Sequence, residues 1–270
     1  MDALPADLAA TANATAVLPR LAFVHIPKTA GTSITHALDR AYRGQSCPAM
    51  TTLDYACLPD TQLNSYWLYR GHAYRRDYER LPKNTILCTV LRDPVRRARS
   101  YFAYYRDLDD RHITDDFVLE ASRLAKTASV IEFIYLDSPF IIEHLRLGQL
   151  RQFLPEATLA AIGHRQFLTR ALRQAVVEDF LREMEKFTYV LTTGMLALSF
   201  PLMATQLGLP AICAALPNEN RSQPVIATDD ADDADIRRAL IDVNAGEFCA
   251  YETIRAREAA WLCAQLRPTH

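Results

Sequence analysis

The segment that most constrains this chain is a short apolar strand followed by a loop of small and polar residues and then by an amphipathic helix. The strand begins at Phe23, and the loop spans residues 27–33. The helix is predicted from apolar residues that recur at helical spacing, namely Ile34, Ala37, Leu38, Ala41 and Tyr42. Backbone N–H groups at the start of such a helix lack partners within the helix, and the helix dipole favours an anion there. The segment therefore predicts a phosphate-binding loop.

The loop carries one lysine, three hydroxyl side chains and a glycine. Its sequence is Pro27-Lys28-Thr29-Ala30-Gly31-Thr32-Ser33. Lys28 supplies a positive charge, and Gly31 lets the backbone come close to a ligand. The order differs from that of the nucleoside-triphosphate loop, G-x-x-x-x-G-K-[ST], in which the glycines precede the lysine. Here the lysine lies at the start of the loop and not at its junction with the helix.

Together with the preceding His25 and Ile26, this loop resembles the one that holds the 5′-phosphosulfate group in sulfotransferases that use 3′-phosphoadenosine 5′-phosphosulfate (PAPS). It is most similar to the branch that contains the uronyl 2-O-sulfotransferases of heparan and chondroitin chains and many bacterial relatives. The resemblance implies a P-loop-like three-layer α/β fold with a central parallel sheet, PAPS as the sulfate donor and no metal. It also implies that PAPS is bound by the loop residues Lys28, Thr29, Ala30, Gly31, Thr32 and Ser33.

A second strand-to-helix junction follows further along the chain. An apolar, β-branched run that ends at Leu91 predicts a strand. Pro94 suits the first turn of a helix, and Asp93 is placed to cap that helix. By resemblance to the same family, Arg92 and Ser100 hold the 3′-phosphate of PAPS. A planar guanidinium suits this role because it can bond two oxygens of a terminal phosphate at once.

The candidate catalytic base lies between these two motifs. His72 follows an aromatic, strand-like run at residues 66–68, and this position resembles the segment that supplies the catalytic histidine in the uronyl sulfotransferases. Histidine suits a general base near neutral pH. The resemblance makes His72 and Lys28 the catalytic residues. The alternative is that His72 is a structural histidine, since the chain has seven histidines. We expect His25 to be packed in the first strand and His36 to face outward.

Three strand-then-helix units predict a parallel sheet with helices on both faces. The third strand is predicted at residues 187–193. Residues 112–186 predict mostly helix and form a helical insertion on the expected acceptor side. Residues 233–266 predict two closing helices. We therefore predict a single sulfotransferase domain over residues 1–270, with residues 1–20 as an N-terminal extension.

Composition and charge argue against several functional classes. The formal net charge of −2 gives no global basic field for nucleic acid, and no apolar segment is long enough to cross a membrane. Residues 70–111 are nonetheless basic, with ten arginines and one lysine against six acidic residues, as an anionic cofactor requires.

The start of the chain lacks the basic segment of a signal peptide. The six cysteines show no zinc spacing and are interpreted as free thiols, although Cys47 and Cys57 would be able to pair in an exported protein. The Golgi members of the resembled family carry an N-terminal membrane anchor that this sequence does not show, and this departure implies a cytoplasmic, bacterial enzyme.

Two polar segments late in the chain are further candidates. By resemblance, the loop at residues 217–224 contacts the 3′-phosphate and adenine of PAPS through Arg221 and Ser222, and a plain surface loop is the alternative. Residues 229–235 contain five aspartates. These predict N-terminal capping of the following helix in preference to a metal site.

The sequence thus predicts a transferase that moves a sulfuryl group from PAPS to an acceptor hydroxyl. The resemblance favours a carbohydrate acceptor, and a small molecule, a lipid or a peptide tyrosine is the alternative. A nucleotide-dependent kinase or NTPase, with Asp93 as its metal-holding acid, is a rival function, and a non-catalytic PAPS-binding protein is another. An aromatic cluster either stacks the acceptor or belongs to the helix core, and its members are Tyr101, Phe102, Tyr104 and Tyr105.

Overall fold

The computed structural model describes residues 18–46, 50–163, 165, 167–209 and 231–265. These residues form an α/β structure around a five-stranded parallel sheet with the strand order β2-β3-β1-β4-β5. The strands are β1 (Leu21–Val24), β2 (Met50–Thr51), β3 (Leu68–His72), β4 (Ile86–Leu91) and β5 (Tyr189–Thr192). The two-residue strand β2 was not predicted from the sequence.

Twelve helices are found in the described ranges. They are α1 (Gly31–Tyr42), α2 (Thr52–Cys57), α3 (Asp60–Leu63), α4 (Arg75–Tyr78), α5 (Pro94–Asp107), α6 (Asp116–Thr127), α7 (Val130–Tyr135), α8 (Pro139–Ile141), α9 (Glu156–Ile162), α10 (Arg170–Met184), α11 (Leu196–Gln206) and α12 (Asp233–Gln265). A single π-helical turn, Ile142–Arg146, follows α8 directly, and short 3₁₀ turns lie at Asp110–His112 and Arg151–Phe153. Within residues 112–186, the described part of the chain contains no strand.

The sheet lies between two layers of helices, which bury its central strand on both faces. Successive side chains of a strand point to opposite faces of the sheet. Ala22 and Val24 of β1 therefore pack into a core shared with α10 and α12. Leu21 and Phe23 pack into a second core shared with α1 and α11. The prediction of a central parallel sheet flanked by helices is confirmed.

Local sequence signals account for the two helices that begin at the edge of the sheet. The buried face of α1 consists of Gly31 and the five apolar residues predicted for it. Helix α5 begins with Pro94, and Oδ1 of Asp93 accepts a hydrogen bond from the backbone N–H of Arg96 at 2.9 Å. Asp93 is therefore the N-cap that the sequence predicted, which fixes the direction in which α5 leaves β4.

Helices α5, α6 and α7 pack with the first part of α12 in a third core. Non-helical backbone at Asn244 (φ −160°, ψ 74°) interrupts α12, so the two closing helices that were predicted are present. At its start, Oδ1 of Asp232 accepts a hydrogen bond from the N–H of Asp235 at 2.7 Å, and Arg99 is paired with Asp233 at 2.6 Å. The described part of the aspartate run thus begins a helix, as expected.

Other sequence predictions concern thiols and membrane segments. Cys57, Cys88, Cys249 and Cys263 are free thiols, and Cys88 is buried in β4. Cys47 lies outside the described residues. In the described ranges, no helix combines the length and apolar character that crossing a bilayer demands.

Candidate functional site

The loops after β1 and β4 meet where the strand order of the sheet reverses. From β1 the chain continues to β2 and β3 on one side, whereas β4 is followed by β5 on the other side. Ligands of open parallel sheets bind at such a point, beyond the carboxyl ends of the strands. A cavity of about 720 Å³ lies there. Its wall includes His25, His72, Arg92 and Thr193, which follow or end strands β1, β3, β4 and β5.

The loop after β1 presents its backbone amides to this cavity. Lys28 (φ 70°) and Ala30 (φ 66°) both have left-handed backbone conformations, which cost energy in residues other than glycine and cluster at functional sites. Ala30 is the N-cap of α1 and has no side chain that can accept from the first turn. Within the described ranges, no acceptor is bonded to the N–H groups of residues 31–33. The start of α1 therefore offers three amide donors and the positive end of a helix dipole.

Three cationic side chains lie beside these amides. Nη1 of Arg92 donates to the carbonyl oxygen of Lys28 at 3.2 Å, which brings the two side chains to the same wall. Burial and the nearby charge of Arg92 lower the pKa of Lys28 below its ordinary value of 10.5. Arg96, in the first turn of α5, is exposed, lines the cavity and has no ion-pair partner among the residues described. An anion bound here would relieve the mutual repulsion of these cations.

Buried polar side chains hold both strand-end loops in place. The amide of Gln149 accepts from the N–H of Arg92 at 2.7 Å and donates to its carbonyl at 2.9 Å. Arg97 is buried and donates to the carbonyls of Pro27 and His144 at 3.3 and 2.6 Å. Glu247 lies 3.9 Å from Arg97. Arg97 is therefore a structural residue that holds the loop after β1 against the π-helical turn.

His25 and His72 form a stacked pair beside the loop. Their ring centroids are 4.6 Å apart, and the rings are inclined by 29°. Nδ1 of His72 lies 2.9 Å from the carbonyl oxygen of His25. Because a carbonyl only accepts, Nδ1 carries the proton and the neutral ring of His72 has its lone pair on Nε2. Burial, followed by the electrostatic effects of the neighbouring His72 and Lys28, lowers the pKa of His25 to about 3. His25 is therefore neutral at physiological pH.

Aromatic side chains from α5 and the segment after α7 complete the wall. Tyr104 is 45% exposed, and Nζ of Lys28 lies 4.2 Å from the centroid of its ring. Tyr101 and Tyr105 line the cavity but are largely buried. His144 also lines the cavity, and its Nδ1 is 3.0 Å from the carbonyl of Phe140. Burial lowers the pKa of His144, so this histidine is also neutral near pH 7.

The cavity wall brings together most of the residues that the sequence singled out. They are Lys28, Ala30, Gly31, Thr32, Ser33, His72, Arg92 and Ser100. Thr29 does not line the cavity, because it is buried and its hydroxyl donates to the carbonyl of Ile26 at 2.9 Å. His36 is exposed on α1, as expected. Arg221 and Ser222 lie outside the described residues. The sequence analysis missed His144 and Gln149, which no motif marks.

Comparison with known proteins adds no family assignment. No protein-family model matches the chain, and no curated protein is significantly similar to it. Within the described part of the chain, no group of three or more His, Cys, Asp or Glu side chains is arranged to hold a metal ion. The geometry of the cavity is therefore the basis for assigning a function.

Proposed function

We propose that this protein is a sulfotransferase that transfers a sulfuryl group from PAPS to an acceptor hydroxyl. The observation that carries the proposal is the convergence of the three amides at the start of α1 with Lys28 and Arg92 on the wall of a cavity that also contains His72. Amide donors at a helix N-terminus suit a phosphate, and a guanidinium suits a second, terminal phosphate. These donors fit PAPS with its phosphosulfate near Lys28 and its 3′-phosphate near Arg92 and Ser100.

In this proposal PAPS is a donor substrate, and the chain's own residues handle the proton and the developing charge. The acceptor oxygen forms a bond to sulfur as the bond between sulfur and the bridging phosphate oxygen breaks, which leaves a sulfate ester and adenosine 3′,5′-bisphosphate. The hydroxyl proton passes to Nε2 of His72, whose Nδ1 is fixed on the carbonyl of His25. Lys28 and the amides of α1 stabilise the negative charge on the leaving oxygen.

The local geometry favours this reaction over the two rival functions. A kinase or NTPase would need a metal-holding acid, and the carboxylate of Asp93 is instead engaged as the cap of α5. A protein that only binds PAPS would not need a histidine oriented by a backbone carbonyl at the cavity. We place the reaction in the cytoplasm, because PAPS is made there.

The test is transfer of radiolabelled sulfate from PAPS to a panel of sugars, phenols, lipids and tyrosine peptides. The assay is run with EDTA and, in parallel, with Mg²⁺ and labelled ATP. We expect transfer from PAPS in EDTA that is lost in His72→Ala. Transfer from ATP that requires Mg²⁺ would instead identify a kinase. Tight binding of PAPS with no transfer to any member of the panel would identify a binding protein.

A further inference from the structure

The cavity wall has an aromatic part that differs in chemistry from its cationic part. The cations that line the cavity come from the loop after β1, from just after the end of β4 and from the start of α5. The wall residues from α6 and from the segment after α7 are Val118, Phe140 and His144, with Asp115 at the cap of α6. These segments contribute no lysine or arginine to the described wall. A ligand group that lies against them therefore meets rings, aliphatic carbon and the carboxylate of Asp115, and not positive charge.

The rings of this part form a continuous row. Tyr104 contacts Tyr105 edge-to-face at 5.0 Å, and Tyr105 contacts Phe140 edge-to-face at 5.5 Å. Phe140 stacks on His144 at 4.3 Å. Such contacts fix the orientation of each ring. The row begins beside the proposed site of transfer, because Nζ of Lys28 lies 4.2 Å from the ring centroid of Tyr104.

Several polar groups along the row already have partners inside the protein. The hydroxyl of Tyr105 donates to the hydroxyl of Tyr101 at 3.3 Å. Oδ1 of Asp115 accepts from the N–H groups of Phe117 and Val118 at 2.9 and 3.0 Å. A sugar bound here would desolvate several hydroxyls without gaining matching hydrogen bonds, which is unfavourable. An acidic saccharide would also have to share Lys28, Arg92 and Arg96 with the donor.

We infer that the row from Tyr104 to His144 binds the acceptor, and that the acceptor is a small aromatic alcohol or phenol and not a uronyl saccharide. This inference rests on the proposed function, since it assigns the cationic part of the cavity to PAPS. The cavity volume of about 720 Å³ lies in the range of small-molecule sites. Flat aromatic acceptors gain stacking energy along such a row.

Equilibrium binding tests the acceptor class without requiring turnover. The full chain is saturated with adenosine 3′,5′-bisphosphate and titrated by calorimetry with 2-naphthol or with a disaccharide that contains glucuronic acid. We expect 2-naphthol to bind the nucleotide-loaded protein at least tenfold more tightly than the disaccharide. Preferential binding of the disaccharide would overturn the inference. Displacement of 2-naphthol by the nucleotide would also overturn it, since the row would then hold the nucleobase.

Matched variants locate the binding. Tyr104→Ala and Phe140→Ala should each weaken 2-naphthol binding at least fivefold, whereas Phe117→Ala should not change it, because Phe117 is 61% exposed and lies outside the cavity wall. Tyr104 is itself partly exposed, so its variant tests the row even if Phe140→Ala unfolds the protein. Unchanged binding in Tyr104→Ala would contradict the inference. Naphthol binding that depends on Tyr104 in a protein with no affinity for the bisphosphate would support the aromatic site and reject PAPS as the donor.

Discussion

The imidazole ring of His25 fills the space that a side chain at position 31 would need. A Cβ atom built on Gly31 would lie 1.7 Å from Nε2 of His25. The same imidazole ring stacks on His72, and the two ring centroids are 4.6 Å apart. Gly31 is therefore required by packing within the site, apart from any need for a ligand to approach its backbone. His25 therefore connects Gly31, in the first turn of α1, with the candidate base His72.

The contact between Gly31 and His25 predicts that each substitution compensates for the other. Gly31→Ala should lower the free energy of unfolding by about 1–3 kcal/mol, as overpacking of a filled site does. In a His25→Ala background the same change should not lower the free energy of unfolding, because the added methyl group enters vacated space and alanine favours a helix. Urea unfolding of the four proteins measures the coupling. Equal costs in both backgrounds would show that the clash does not determine the glycine.

The low pKa of His25 predicts a specific loss of stability in acid. Burial and neighbouring positive charge lower this pKa from 6.5 to about 3, so the unfolded chain binds a proton at this position before the folded protein does. Stability should therefore fall as the pH decreases from about 6.5 towards 3. His25→Asn, which does not titrate, should lose less stability over this range. Thermal unfolding of both proteins at several pH values provides the comparison, and parallel losses would contradict the assignment.

Local patterns predicted much of the fold, because periodicity and caps act over a few residues. The buried face of α1 and the cap of α5 at Asp93 were both correct. The hydroxyl of Thr29 and the guanidinium of Arg97 were not foreseen, because both bond to backbone carbonyls whose positions depend on the folded loops. His144 reaches the cavity from a π-helical turn that no sequence period reveals. Residues that join the site through tertiary packing thus escape analysis of the sequence.

Arg92 should determine whether the protein distinguishes adenosine 3′,5′-bisphosphate from 5′-AMP. We expect the bisphosphate to bind far more tightly, and Arg92→Ala to remove about 1.5–3 kcal/mol of this preference, the value of a charge-assisted hydrogen bond. Arg99→Ala is the matched control, because Arg99 lies on α5, seven residues after Arg92, but is paired with Asp233. Calorimetry with both nucleotides measures the preference. Equal affinities in the unmodified protein would reject the assignment of the 3′-phosphate.

His72 should affect the rate of transfer more than the binding of the donor. His72→Ala should keep the affinity for adenosine 3′,5′-bisphosphate and lose about a hundredfold or more in kcat, as removal of a general base does. His72→Asn should fail as well, since an amide forms hydrogen bonds but does not accept the proton at neutral pH.

His112→Ala is the control for these histidine variants, because His112 is exposed in the 3₁₀ turn before α6, away from the cavity wall. Single-turnover measurements separate the chemical step from product release. A normal rate in His72→Asn together with a loss in His72→Ala would mean that His72 orients the acceptor hydroxyl and does not take its proton. Normal rates in both variants would indicate that His144 is the base, since its Nδ1 is likewise fixed on a backbone carbonyl.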